Sequence, residues 1–123
     1  MNIRIKRIDH LQISIPAGSE LSAKKFYTEI LGLTEIEKPE ALKANGGLWF
    51  EIGDIQLHLG IEDNPGKVKR HPAFEVEDLE HSKNYLQACG VEIREEIPIP
   101  GVNRFSFFDP FGNRIELLTK RSD

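Results

Sequence analysis

The chain reads as two copies of one pattern, and that internal repeat constrains its architecture more than any other feature. The first copy opens His10-Leu-Gln-Ile-Ser-Ile-Pro16, runs through a helical pattern ending Ile30-Leu31-Gly32, and resumes with Leu33-Thr34-Glu35-Ile36-Glu37. The second opens His71-Pro-Ala-Phe-Glu-Val-Glu77, runs through a helical pattern ending Ala88-Cys89-Gly90, and resumes with Val91-Glu92-Ile93-Arg94-Glu95. A repeat of this length means that each copy builds the same supersecondary unit. It also puts a histidine at the same strand position twice, where a pseudo-twofold axis could bring two imidazoles to one point.

Hydrophobic periodicity sets the elements inside each copy. Residues 8–16 alternate like a strand. Ser19 stands where a helix cap belongs, and Ala23, Phe26, Tyr27, Ile30 and Leu31 recur on one helical face. Gly32 fits the position past the helix end. Strands are expected at 33–38, 47–52 and 55–61, with Gly53-Asp54 turning between the last two. The turn-rich stretch 62–68 is the natural joint. Beyond it the pattern restarts: a strand at 69–77, a helix from Asp78 to about Gln87, and strands at 91–97, 102–108 and 114–119. Asp109-Pro110-Phe111-Gly112-Asn113 is the tight connection before the last strand. The expected fold is therefore α+β, a single domain over 1–123 built from two tandem βαβββ modules, about 5–62 and 69–120. Their curved mixed sheets would surround a cavity, because one module alone leaves a sheet face uncovered.

A chain of 123 residues can bury enough surface to fold without a disulfide or a structural metal. The net charge of −4 argues against a nucleic-acid partner. No apolar run approaches membrane-spanning length, so no membrane partner is expected. The single Cys89 cannot form an internal disulfide and reads as a small buried apolar residue; a reducing cytoplasm is the expected setting.

Four segments carry a resemblance to a known family: Ile8-Asp9-His10-Leu11, Phe26-Tyr27-x-x-x-Leu31-Gly32-Leu33, His71-x-Ala73-Phe74, and Phe108-Asp109-Pro110-x-Gly112-Asn113-x-Ile115-Glu116-Leu117. Together they resemble the vicinal oxygen chelate superfamily, which includes glyoxalase I, fosfomycin-resistance thiol transferases, extradiol dioxygenases and bleomycin-resistance proteins. The resemblance implies paired βαβββ modules. It does not imply one reaction, because the family hosts several chemistries.

Strand alternation groups the polar side chains. His10, Gln12 and Ser14 share one face of the first strand, Gln56 and His58 one face of the strand 55–61, and Arg114 and Glu116 one face of the last strand. If these faces line one concave surface together with His71, then His10, His58, His71 and Glu116 converge as metal ligands. Imidazole with carboxylate suits Zn, Ni, Mn, Fe or Co better than Mg or Ca. The resemblance puts His10, His71 and Glu116 on the ligand positions of the thiol transferases. It puts His58 where glyoxalase I has a glutamate, provided the Gly53-Asp54 turn carries one extra residue; otherwise Leu57 takes that place. Glu51 would enter the ligand set only if strand phases shift, and His81 reads as solvated. Trp49 and Gln12 are candidate walls of a substrate cavity. Arg104 could hold an anionic group, with Ser106 beside it on the same strand face. Lys67, Lys69 and Arg70 read as a solvated basic group in the joint.

The resemblance implies a metal-dependent enzyme on a small oxygen-bearing substrate, of lyase or isomerase type, with Glu116 in the place of a glyoxalase carboxylate and expected to carry the proton. Replacing a glyoxalase glutamate by His58 removes one anionic base. A thiol transferase, a ring-cleaving dioxygenase and a non-catalytic small-molecule binder remain the alternatives. By resemblance, the chain is expected to pair as a homodimer, His10 and His58 of one chain meeting His71 and Glu116 of the other.

Overall fold

The computed structural model describes residues 3–63 and 69–121. It divides into two compact units, 1–63 and 64–123. Lys67 of the basic group lies outside the described residues, while Lys69 and Arg70 are exposed.

The first unit runs β1 (His10–Ile15), α1 (Glu20–Lys24, continued by a π-helical turn Lys25–Ile30), β2 (Thr34–Ile36), a 3₁₀ turn Glu40–Asn45, β3 (Leu48–Ile52) and β4 (Ile55–Ile61). Its strands lie in the order β1-β4-β3-β2. β1 and β4 are parallel and the other pairs antiparallel. Alternation then sorts the residues. Ile15, Phe50, Leu57 and Leu59 are buried with Ala23, Phe26 and Tyr27 of the helical segment. His10, Gln12, Gln56, His58 and Trp49 take the other phase. Gly53 adopts a φ of 59° in the two-residue β3–β4 turn, a conformation that a side chain would strain. Ser19 sits at the helix start but does not cap it. Its hydroxyl donates to the Pro16 carbonyl instead, at 2.6 Å.

The second unit repeats the plan with β5 (Ala73–Glu75), α2 (Leu79–Ala88), β6 (Arg94–Glu95), β7 (Val102–Phe108) and β8 (Arg114–Lys120), in the order β5-β8-β7-β6. Again the first and last strands are parallel. Phe105, Phe107 and Ile115 form the buried face with Leu86 of α2. Asp78 caps α2, accepting from the His81 amide at 2.9 Å. Both modules are thus βαβββ.

Three expectations change. The strand expected at 69–77 shrinks to Ala73–Glu75, so His71 precedes it rather than lying within it. Pro72 lacks the N–H a longer ladder would use, although its carbonyl still accepts from the Glu116 amide at 3.0 Å. The strand expected at 91–97 pairs only at Arg94–Glu95. Cys89 is exposed, not buried, at the end of α2 where the helix opens to solvent. None of the described helices is long and apolar enough to cross a membrane.

Candidate metal and substrate site

In the first unit, three flat rings pile across neighbouring strands. The Trp49 indole lies on the His58 imidazole, 3.9 Å between centroids with planes 2° apart. His10 lies against His58 at 4.1 Å and 16°. Register explains the pile: Trp49 is opposite His58 across β3–β4, and His58 is opposite Gln12, two residues beyond His10. His58 is buried, and burial pushes its pKa down, with the neighbouring His10 adding to the effect. Its Nε2 is 2.9 Å from the Gln56 side-chain oxygen. His10 Nδ1 is 2.9 Å from the Asp9 carboxylate, and this hydrogen bond holds Asp9 below the usual carboxylate range. Gln12 is exposed, and its amide lies over Gly60, where a Cβ would come within 2.5 Å of it. Gln12, Trp49 and His58 line one cavity of about 230 Å³ with Lys38, Asn45 and Glu62.

In the second unit, the polar face of the sheet carries Arg94, Ser106 and Glu116 in direct register, flanked by Arg104 and Arg114. Glu116 is buried, with 5% of its surface exposed. One of its oxygens, Oε1, accepts from Arg104 Nη1 at 3.1 Å and stands 3.2 Å from His71 Nε2. The Nδ1 of His71 is 2.8 Å from the Lys69 carbonyl, a group that can only accept. Nδ1 therefore carries a proton, and Nε2 faces a carboxylate oxygen either as a second N–H, in an ion pair, or with its lone pair. Two electron-rich atoms this close require a proton or a cation between them.

Beside this pair, Glu96 accepts from the Ser106 hydroxyl at 2.5 Å and from Arg114 Nη2 at 2.6 Å. The hydroxyl first, and the guanidinium with it, hold the Glu96 carboxyl below its ordinary range. Arg94 lies over the Phe108 ring at 5.1 Å. The Asp109–Asn113 connection aims β8. Asp109 Oδ1 accepts from the amides of Phe111 at 2.9 Å and Asn113 at 2.8 Å, and Oδ2 from the Asn113 side chain at 2.9 Å.

A model of the Glyoxalase/Bleomycin resistance protein/Dioxygenase superfamily matches residues 7–117. The chain belongs to this superfamily. A glyoxalase family protein from Bacillus anthracis is 43% identical, with 98% of this chain and 100% of that one covered at a TM-score of 0.91. A curated relative, Glyoxylase I 4 of Arabidopsis thaliana, is 26% identical over 117 residues, 85% of this chain and 67% of the relative. The fosfomycin resistance protein FosX of Listeria monocytogenes shares the fold at 18% identity and a TM-score of 0.76, with 97% of each chain covered.

Against the donor chemistry of this superfamily, the residues divide clearly. Taken each in its own unit, His10 and His71 have donor chemistry that suits a divalent ion: both rings have Nδ1 engaged by an oxygen, which leaves Nε2 for coordination, and in the second unit Glu116 adds a carboxylate beside His71. His58 is placed differently from the fourth-ligand expectation. Its ring is nearly parallel to that of His10, so in-plane lone pairs on the two rings run alongside each other instead of meeting at a point. Register nonetheless resolves its phase. His58 opposes Gln12 as Glu116 opposes Ala73, so the two occupy matching places in the repeat. Ser106 is fully buried, and its hydroxyl supports the Glu96 carboxylate. Glu51 and His81 are exposed. Among the described residues, no group of three or more His, Cys, Asp or Glu side chains is gathered closely enough to hold an ion. Sequence reading missed Glu96, and it missed that Asp9 and Gln56 are the hydrogen-bond partners of His10 and His58. Asp9 was visible beside His10, but Glu96 becomes meaningful only when β6 is laid against β7.

Proposed function

We propose that the chain is a divalent-metal-dependent enzyme of the superfamily, of lyase or isomerase type, acting on a small substrate with adjacent oxygens. His10, His71 and Glu116 would be the ligands and Glu116 the proton carrier. The observation that carries this reading is the His71–Glu116 contact at 3.2 Å, made by a ring nitrogen whose partner nitrogen already faces a carbonyl.

When bound, the ion would act as a Lewis acid and stabilise negative charge developing on a substrate oxygen. Asp9 and the Lys69 carbonyl fix the ring orientation and tautomer of the two histidines. Glu116 takes a proton from the carbon beside the substrate carbonyl and returns it at the neighbouring position; its burial keeps water from competing for that proton. Trp49 supplies an apolar wall.

Pairing of two chains belongs to the same proposal. Ile3, Ile5 and Ile8 are exposed apolar side chains ahead of β1, and cover by a second chain would remove them from water. Equilibrium sedimentation is expected to give twice the chain mass.

The test is metal content after purification without chelator, followed by turnover of a hemithioacetal, an epoxide with a thiol, and a catechol. Stoichiometric metal with turnover of the hemithioacetal supports the reading. A protein that stays metal-free after soaking removes it and favours a small-molecule binder, for which the ring pile beside the 230 Å³ cavity of the first unit is the supporting feature.

A further inference from the structure

The Arg104 guanidinium and the His71 imidazole address the same atom, Glu116 Oε1, at 3.1 and 3.2 Å. Arg104 is always charged. A cation bound by His71 and that oxygen would face a guanidinium on the same oxygen, and the two positive charges compete for it. Arg104 Nη2 donates a hydrogen bond to the Ile97 carbonyl at 2.8 Å. Its Nε is buried and lacks an acceptor among the described residues. Nη1 is thus the donor that a change of partner would release: when Glu116 Oε1 turns to a cation, an oxyanion can take its place on Nη1.

Arg114, on the same face, also has a buried Nε without an acceptor among the described residues. Its carboxylate partner is Glu96, which the Ser106 hydroxyl holds in place. Glu96 is no candidate ligand, so a metal would leave that pair intact. Arg104 is the guanidinium whose carboxylate partner is a candidate ligand. Arg94 stacks on Phe108 nearby and keeps the face positive.

We propose that Arg104 is a handover residue. It holds Glu116 while no ion is present and, once a cation takes that carboxylate, binds an oxyanion group of the substrate, planar as in a carboxylate or tetrahedral as in a phosphoryl group. The inference rests on the metal reading above and adds to it the substrate class.

The experiment is calorimetry on the full chain. Metal-free protein is titrated with Mn²⁺, and then metal-free and Mn²⁺-loaded protein are each titrated with acetate and with methylphosphonate. Wild type, Arg104→Gln, Arg104→Lys and a Lys24→Gln surface control are compared. Removing the competing guanidinium is expected to tighten Mn²⁺ by about threefold to tenfold while weakening the anion on the loaded protein by about tenfold. Mn²⁺ itself should tighten the anion in wild type and have a smaller effect in Arg104→Gln. Arg104→Lys, which keeps the charge without the fork, should fall between. The better of the two anions identifies the group. A merely structural arginine would weaken metal and anion together, and that result overturns the inference, as does anion affinity equal in Arg104→Gln and the control. Absence of any Mn²⁺ binding to wild type overturns the metal reading and the inference with it. Mn²⁺ binding unchanged by Arg104→Gln leaves the metal reading standing and removes the handover alone.

Discussion

The Trp49 indole and the His58 imidazole lie face to face, 3.9 Å apart and within 2° of parallel. They are direct partners across β3 and β4, so the stack is a cross-strand pair of the kind that stabilises a sheet. Trp49→Ala is expected to cost about 2 kcal/mol, from lost stacking and exposure of the buried imidazole. Trp49→Phe should recover most of that. Urea unfolding of the two variants measures it, and equal stability of Trp49→Ala and wild type would show that the stack contributes nothing.

The same imidazole predicts an acid limb in stability. Burial lowers the folded-state pKa of His58, whereas the unfolded chain restores the ordinary value of about 6.5. Between the two values the unfolded chain binds the extra proton, so stability decreases with falling pH. Its contribution is complete above the unfolded value and shrinks from there until pH reaches the folded value, below which the loss is constant. His58→Gln should flatten this limb in metal-free protein. A His58 ring that titrates at the free-histidine value by NMR would refute the assignment.

Glu96 produces a second limb at lower pH. Its carboxyl is held below the ordinary value of about 4.3 by the Ser106 hydroxyl and by Arg114. The stability it contributes is present above that value and disappears as pH falls through the lowered one. Glu96→Gln should cost about 2 kcal/mol at neutral pH, because it strips the charge from the Arg114 contact. Its cost should shrink toward zero at the acid end. A variant equally impaired at both ends would mean that packing, not charge, is what Glu96 supplies.

The outline of the fold was legible because it depends on short-range pattern. Alternation in His10–Ile15 and Ile55–Ile61 separates a polar phase from an apolar one without knowledge of the partner strand, and Asp109-Pro-Phe-Gly-Asn113 carries its own turn chemistry. Strand length was less legible. Pro72 cuts the second opening strand short, and β6 pairs at only Arg94–Glu95 because edge pairing depends on what β7 offers. The polar clusters were legible as residue lists but not as arrangements. The Ser106–Glu96 contact emerges only when register brings the two together, and Arg104, read from the sequence as a grip for an anionic group, already holds Glu116 at 3.1 Å. Such pairings join residues ten to twelve positions apart in the chain, and no local periodicity encodes them.

The matching register of His58 and Glu116 yields a last prediction. His58 opposes Gln12 in β1, and Glu116 opposes Ala73 in β5, each two residues beyond a histidine of the repeat. If His10 ligates the ion, a carboxylate at position 58 would stand to His10 as Glu116 stands to His71. His58→Glu should therefore tighten divalent metal, by about tenfold, because a flexible anion can turn its oxygen toward the ion where a stacked ring cannot. The same change opens the pile on Trp49, so its fluorescence should report the substitution in metal-free protein and respond again on loading. Competition against a chelator measures the affinity. A metal affinity unchanged or weakened in a folded His58→Glu protein would place position 58 outside the coordination sphere and confine it to the cavity wall.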